Sequence, residues 1–486
     1  MSRFDVVVLG GRAVLPGHGA VRADIGIKNG RISAVGEEFS AGDADEVVDA
    51  SGMVIVPGAV DAHFHLGIYR DITEDTKSET ASSLVGGVTS VISYFRTGSH
   101  YLEKSGPYSE IYSEVLEATE GHSFVDYSYH LAPMTREQVG EIPRLADSDG
   151  VASFKYYMFY KGLDLSGGSR DAAGYTMSEN YDLGHLFEIM EQVAKVQDTR
   201  TDGARVSLSI HCEQPELIRV FTERVREEGV LEGLEAYSAA RPTLTEHLAV
   251  AEVAVLAGHT RCPINLLHLS SEEALEAALE LRRQHPGLDT RLETTLHHLA
   301  LTYESYNDQR GKVNPPIRAQ SDVEALWRGV KRRDIDWVCS DHACCSEEHK
   351  EGELWNALPG FGGTALMYPF LLTEGPRRGL SLGRIVELVS TNPAQAFGLT
   401  SRKGAISVGA DADLAIVDLE ETHPVTAERL LSAQEYTPFE GMELTGWPVR
   451  TLLRGRTVFA DGSIVGEPEG TYLKRPLAAE RPLAAS

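Results

Sequence analysis

Short apolar runs recur through the middle of the chain, at residues 90–95, 125–131, 151–158, 206–210, 264–269, 292–296 and 335–339, with stretches of helical spacing between them. The run that leads into His63 makes an eighth. A buried parallel strand reads as a nearly unbroken apolar run because both of its faces are covered, and its alternation with helices marks βαβ units. Eight units in succession predict an α/β fold, a (β/α)8 TIM-like barrel. The clearest unit is Pro263-Ile-Asn-Leu-Leu-His-Leu, followed by Ser270 and Glu273 in a capping-box pattern and by Leu275, Ala278 and Leu279 at helical spacing.

The two ends of the chain have a different texture. Runs at 6–9, 23–27, 32–35 and 53–56 are broken by turn pairs such as Asn29-Gly30, and similar runs return at 412–417, 449–453 and 457–459 before Asp461-Gly462. Short strands separated by such turns predict a small β-sandwich formed jointly by the N- and C-terminal segments. The expected division is 1–57 and 399–470 for the sandwich, 58–398 for the barrel and 471–486 for an arm or tail, in which Arg-Pro-Leu-Ala-Ala occurs twice. Gly10-Gly11 opens no Gly-x-Gly-x-x-Gly fingerprint, so a dinucleotide site is not indicated.

Composition narrows the class. Hydrophobic residues at 42% and charged residues at 24% are ordinary globular values and exclude a fibrous or disordered chain. A formal charge of -27 would repel a phosphate backbone, which sets nucleic acid aside as a partner. The five cysteines (Cys212, Cys262, Cys339, Cys344, Cys345) show no disulfide-framework spacing, as in a reducing compartment. The first residues turn charged and glycine-rich before an export signal or membrane span is complete, so the cytoplasm is the expected location and no membrane partner is expected.

Candidate chemistry gathers where the barrel strands end. His63 and His65 stand two apart, so on a strand both imidazoles leave one face. Lys155 lies in the fourth run, His211 at the end of the fifth, His268 in the sixth and Asp341 just past the eighth. Barrel active sites are built at the carboxyl ends of strands, so the six can converge. A buried lysine beside cations has a depressed pKa, and its free amine can add carbon dioxide to give a carbamate with two oxygen donors. That group could bridge two metals, whose shared hydroxide would form near neutral pH. The competing reading of Lys155 is an ordinary interior lysine paired with an acid.

These residues resemble those of the cyclic amidohydrolases, the group of hydantoinases, dihydropyrimidinases, allantoinases and dihydroorotases. The resemblance spans nearly the whole chain and rests on Pro57-Gly-Ala-Val-Asp-Ala-His-Phe-His65, Gly86-Gly-Val-Thr89, Ser153-Phe-Lys155 with Tyr160-Lys161, Asn314-Pro-Pro-Ile-Arg318, Gly446-Trp-Pro-Val449 and Arg454-Gly455. It implies two divalent ions, usually zinc, an N6-carboxylysine at Lys155, and His63, His65, His211, His268 and Asp341 as further ligands. It also implies a small cyclic amide as substrate and a homo-oligomer, in related enzymes often a tetramer. In the cycle it suggests, Tyr160 polarises a ring carbonyl, bridging hydroxide attacks, and Asp341 carries a proton to the leaving ring nitrogen. Asn314 and Asn356 stand where the group contacts its ring, the latter opening Asn-Ala-Leu-Pro-Gly, whose contacts come mainly from backbone groups.

Within the group the signals are mixed. Leu66-Gly67 replaces the arginine expected soon after the second histidine of a dihydroorotase. Ser340-Asp341-His342 resembles allantoinases, whereas Leu358-Pro359-Gly360 resembles hydantoinases and dihydropyrimidinases, toward which the reading leans. Arg70 and Arg96 would suit an anionic ring substituent, and the apolar and aromatic residues around them a hydrophobic one or none. Cys212 and Cys344-Cys345 could suggest a sulfur site, but oxygen and nitrogen ligands already complete two ions. A non-catalytic scaffold like the collapsin response mediator proteins would have lost ligands, and all six positions are filled. A one-metal deaminase would not need Lys155.

Overall fold

The computed structural model describes residues 2–98, 100–160, 181–201 and 203–477. Eight parallel strands form the barrel wall: β1 (Ala59–His65), β2 (Val88–Arg96), β3 (Asp126–Ala132), β4 (Ser153–Tyr157), β5 (Ser207–His211), β6 (Ile264–Leu266), β7 (Thr290–Thr295) and β8 (Trp337–Cys339). Each pairs with its successor in the chain. Closure comes from a piece that the apolar pattern does not announce. After a turn at Ser340-Asp341 the chain resumes as the two-residue strand His342–Ala343, which pairs in parallel with Phe64 and His65 of β1.

Two local expectations are corrected. The sixth strand ends at Leu266 rather than 269, and the backbone of His268 enters the left-handed region at φ 34°. The helix that follows, Glu272–Gln284, is capped by Ser271 and not by Ser270, with the Ser271 hydroxyl accepting from the Ala274 amide at 3.2 Å. Ser270 is diverted because its hydroxyl donates to the buried carboxylate of Glu246.

The terminal segments build a four-stranded sheet from Phe4–Leu9, Asp24–Lys28, Arg31–Gly36 and Ala44–Asp49, and a seven-stranded sheet shared by both ends. In the latter, Val54–Pro57 runs parallel to Arg12–Leu15 on one side and antiparallel to Leu414–Pro424 on the other. Val6, Val8, Ile25, Ile27 and Ile55 from the first end pack with Leu414, Ile416 and Leu452 from the second. Each such side chain stabilises the union by roughly 1.5–3 kcal/mol. The chain passes from sheet to barrel at Gly58, whose amide donates to Asp413 O at 2.8 Å. A Cβ there would lie 2.0 Å from Thr89 Oγ1, so no side chain fits this crossing.

At the amino ends of the strands, residues 471–477 form a strap. The Leu473 amide donates to Tyr127 O at 2.7 Å, and the buried Arg475 reaches Ser128 Oγ and Ser153 Oγ, each at 2.8 Å. The rest of the expected arm, 478–486, lies outside the described residues. Beside the strap, Lys403 Nζ sits among Asp126 (2.6 Å), Asp411 (2.9 Å) and Asp413 (2.6 Å), tying β3 to the terminal sheets. Among the described residues no helix is long and apolar enough to cross a membrane.

Candidate active site and metal centre

At the carboxyl ends of the strands, a cavity of about 460 Å³ is lined by His63, His65, Lys155, His211, His268 and Asp341 together. His63 Nε2 and His65 Nε2 stand 3.0 Å and 3.3 Å from Asp341 Oδ1. Asp341 reaches this place through a left-handed backbone, φ 51°, a region that aspartate tolerates better than most residues. The turn is pinned by its neighbour Ser340, whose amide donates to Asp61 Oδ1 at 3.1 Å and whose hydroxyl donates to Oδ2 at 2.5 Å. His211 and His268 form a second group, their ring centres 4.3 Å apart.

Lys155 is buried, with Nζ 4.3 Å from the centre of the Tyr94 ring and 4.8 Å from that of Tyr157. Among the described residues no carboxylate lies within ion-pair distance of it. Burial drives its pKa down to about 8, against the opposing pull of Asp341 and Glu293.

Several supporting residues escaped the sequence reading. Glu293, on β7, accepts from His63 Nδ1 at 2.7 Å and from the Trp337 indole at 2.7 Å, which leaves His63 Nε2 for the cavity. Glu213 bonds His211 Nε2 at 2.6 Å and is held by Arg241 through two contacts of 2.9 Å, which leaves Nδ1 as the free donor atom of His211. Tyr101 meets His65 Nδ1 at 3.2 Å. The available signals were a glutamate inside an apolar run, for Glu293, and a glutamate two residues past a strand-end histidine, for Glu213. Neither specifies a partner without the fold.

The donor set fits metal. Burial alone would lower the pKa of His63, but Asp341 and Glu293 on either side hold it up at about 9, so this point of the site favours positive charge. Burial keeps His65 and His211 down at about 4, which makes them neutral imidazoles suited to ligation. His268 Nδ1 is buried without a hydrogen-bond partner. Three donor atoms, from His63, His65 and Asp341, lie within 4.8 Å of one another. Cys339 with His63 and Glu293, and Cys344 with Asp75 and Glu79, have similar spacing, but burial pushes both thiols up, away from the thiolate form, as it does Cys212.

The remaining candidates divide. Tyr160 ends a single 3-10 turn, Met158–Tyr160, after β4 and lines the cavity, while its motif partner Lys161 lies outside the described residues. Asn314 also lines it, with its Oδ1 accepting from the Tyr237 hydroxyl at 2.6 Å. Asn356 does not: it is exposed, and of its loop only Pro359 and Gly360 belong to the lining. Neither arginine considered for an anionic substituent lines the cavity. Arg70 pairs with Asp75 at 3.1 Å and Glu79 at 3.6 Å, and buried Arg96 stands behind Tyr101 and Tyr160, its guanidinium carbon 5.8 Å and 5.4 Å from their ring centres.

Fold and site together define an α/β-barrel enzyme with a histidine–carboxylate–lysine centre at the carboxyl ends of its strands. The model of the amidohydrolase family matches residues 171–458. The chain is 32% identical to an allantoinase of Rubrobacter xylanophilus over 98% of both chains. It is 29% identical to a D-hydantoinase of Ralstonia pickettii, covering 97% of this chain and 99% of that one. Among solved structures, the L-hydantoinase (dihydropyrimidinase) from Arthrobacter aurescens matches with a TM-score of 0.83 and 28% identity over 96% of this chain and 98% of that one. The chain belongs to the amidohydrolase family and is a hydrolase.

Proposed function

We propose that this enzyme opens a cyclic amide by hydrolysis of a ring C–N bond, in a hydantoin, a dihydropyrimidine or a related cyclic ureide or imide. The observation that carries the reading is the convergence of four imidazoles, Asp341 and Lys155, which makes no ion pair among the described residues, on one cavity. The names of the relatives, allantoinase and D- and L-hydantoinase, support the substrate class. His63, His65 and Asp341 would hold one divalent ion and His211 and His268 another, most simply zinc, with carboxylated Lys155 shared between them. When bound, such ions supply Lewis acidity and lower the pKa of water toward 7.

The chain's own residues supply the rest. Asp341, flanked by His63 and His65, takes the proton of the attacking water and passes it to the ring nitrogen as the C–N bond breaks, so that no amide anion departs. Tyr160 donates to the carbonyl oxygen on which negative charge grows. Asn314, its oxygen already occupied by Tyr237, offers its NH2 to the ring. With Arg70 and Arg96 outside the lining, and the lining arginines Arg219 and Arg241 paired with Glu223 and Glu213, the wall formed by Ile68, Tyr69, Phe159 and Tyr237 supports an uncharged substituent or none. The test is loss of ring absorbance across dihydrouracil, hydantoin, 5-substituted hydantoins, allantoin, dihydroorotate and cyclic imides, with metal analysis expected to give about two ions per chain. Failure of the zinc-loaded protein to open any of these rings would sink the proposal.

A further inference from the structure

Besides Lys403, two buried lysines lie outside the metal centre, and the proposed chemistry uses neither. Lys312 and Lys350 are 4% and 2% exposed. Lys312 Nζ donates to the carbonyls of Leu354 (3.0 Å), Trp355 (3.1 Å) and Ala357 (2.5 Å). Lys350 Nζ donates to Leu358 O at 2.7 Å and to Lys312 O at 3.0 Å. The Lys312 carbonyl also accepts from the Gly360 amide at 2.9 Å, and the Leu358 amide donates to His349 O at 2.9 Å.

The segment served by these bonds, 351–360, contains neither helix nor strand, so no ladder satisfies its carbonyls. An ammonium presents three donors from one point and can gather carbonyls that have no regular spacing. Taking a cation out of water is costly, and hydrogen bonds to a charged group return about 1.5–3 kcal/mol each, so the bonds largely offset the cost of burial and the gain is a defined loop shape. That shape is read at the cavity. Immediately after the clamped carbonyls, Pro359 and Gly360 enter the lining. Pro359 O accepts from the Tyr69 hydroxyl at 2.7 Å. Gly360 has φ +111°, and a Cβ there would lie 3.0 Å from the Ala343 Cβ, so the loop presents backbone rather than side chain.

We propose that Lys312 and Lys350 are positioning residues that clamp the 351–360 loop through its carbonyls and so fix the backbone of Pro359 and Gly360 against the ring of the substrate. The part concerning substrate rests on the cyclic-amide reading; the clamp does not. Lys350 is the informative position because Lys312, but not Lys350, lines the cavity. In zinc-loaded full-length protein, Lys350→Met is expected to accelerate amide hydrogen exchange in 351–360 by about tenfold or more, the loss of one or two hydrogen bonds. On whichever ring the parent enzyme opens, KM should rise by about tenfold with kcat held within about threefold, as for lost ground-state positioning. Zinc content should not change.

Lys350→Gln, which keeps two donors without the charge, should fall between Lys350→Met and the parent, and it carries the same readouts if the methionine variant does not fold. Parental exchange rates in 351–360, or a fall in kcat at constant KM, would overturn the inference. If the parent opens no ring, the functional reading fails, while hydrogen exchange still decides whether the lysines clamp the loop.

Discussion

Lys403 and Lys155 are both buried lysines, yet their surroundings are opposites. Lys403 lies among three carboxylates at 2.6–2.9 Å, and although burial opposes its charge, Asp413, Asp126 and Asp411 raise its pKa. Lys155 faces two aromatic rings, and burial prevails, lowering it to about 8. At the junction of barrel and sheets the three aspartates are already balanced by Lys403 together with Arg402, which pairs with Asp411, and Arg454, which pairs with Asp126. That group therefore has no call for an ion, although Asp126, Asp411 and Asp413 have the spacing to hold one. The lesson is that a buried lysine held by carboxylates, as at Lys403, or by backbone carbonyls, as at Lys312 and Lys350, is a fastener, whereas Lys155, which meets neither among the described residues, is the one left open to other chemistry.

The same substitution at the two sites should separate them. Lys155→Met is expected to lower ring opening by at least about 10³-fold while leaving thermal unfolding unchanged or raised, because an apolar chain replaces an unpaired buried amine. Lys403→Met should do the reverse: a loss of about 3–5 kcal/mol in denaturant unfolding, since three carboxylates lose their central cation, with kcat per folded molecule preserved. If both variants lost activity and stability alike, the distinction would collapse.

Smaller effects sharpen it. Glu293→Gln removes the carboxylate behind His63, and chelator competition should show zinc affinity reduced about 10- to 100-fold. Acid should loosen the junction. Burial would raise Asp126, but Lys403 and Arg454 hold it down at about 2, below the ordinary aspartate value of about 3.9. Its contribution, on the order of 2 kcal/mol, is complete above about pH 4 and lost as the pH falls toward 2, and unfolding followed against pH checks this. The Lys403 pKa is raised, so its share is complete below lysine's ordinary value of about 10.4 and is lost only in strong alkali. The smallest effect belongs to Asn356→Ala, expected to change kcat/KM by less than about twofold because the residue is exposed and does not line the cavity.

Much of this was legible in the chain. Apolar runs at regular intervals announce parallel strands because a strand covered on both faces must be apolar throughout, and histidines at the ends of such runs can meet only in a closed barrel. What stayed hidden depends on residues distant in sequence. The closing strand His342–Ala343 is two residues long, too short to show any period, and exists because β1 offers it an edge. Glu293 is 230 positions from His63, and nothing local in either segment announces the pairing. The Asn-Ala-Leu-Pro-Gly motif points to the loop that holds Asn356, but which of its residues reach the cavity, Pro359 and Gly360 and not Asn356, depends on the path of an irregular backbone that no local period describes.

By itself, then, the sequence determined the barrel, the sheets of the two ends and the six residues at the strand ends, since periodicity and strand polarity are local properties of the chain. Tertiary structure alone decided which carboxylate holds which imidazole, which buried lysine is raised by carboxylates and which is lowered by burial, and which arginines line the cavity. Those outcomes follow from desolvation and from distances of a few ångströms, which the order of residues does not contain.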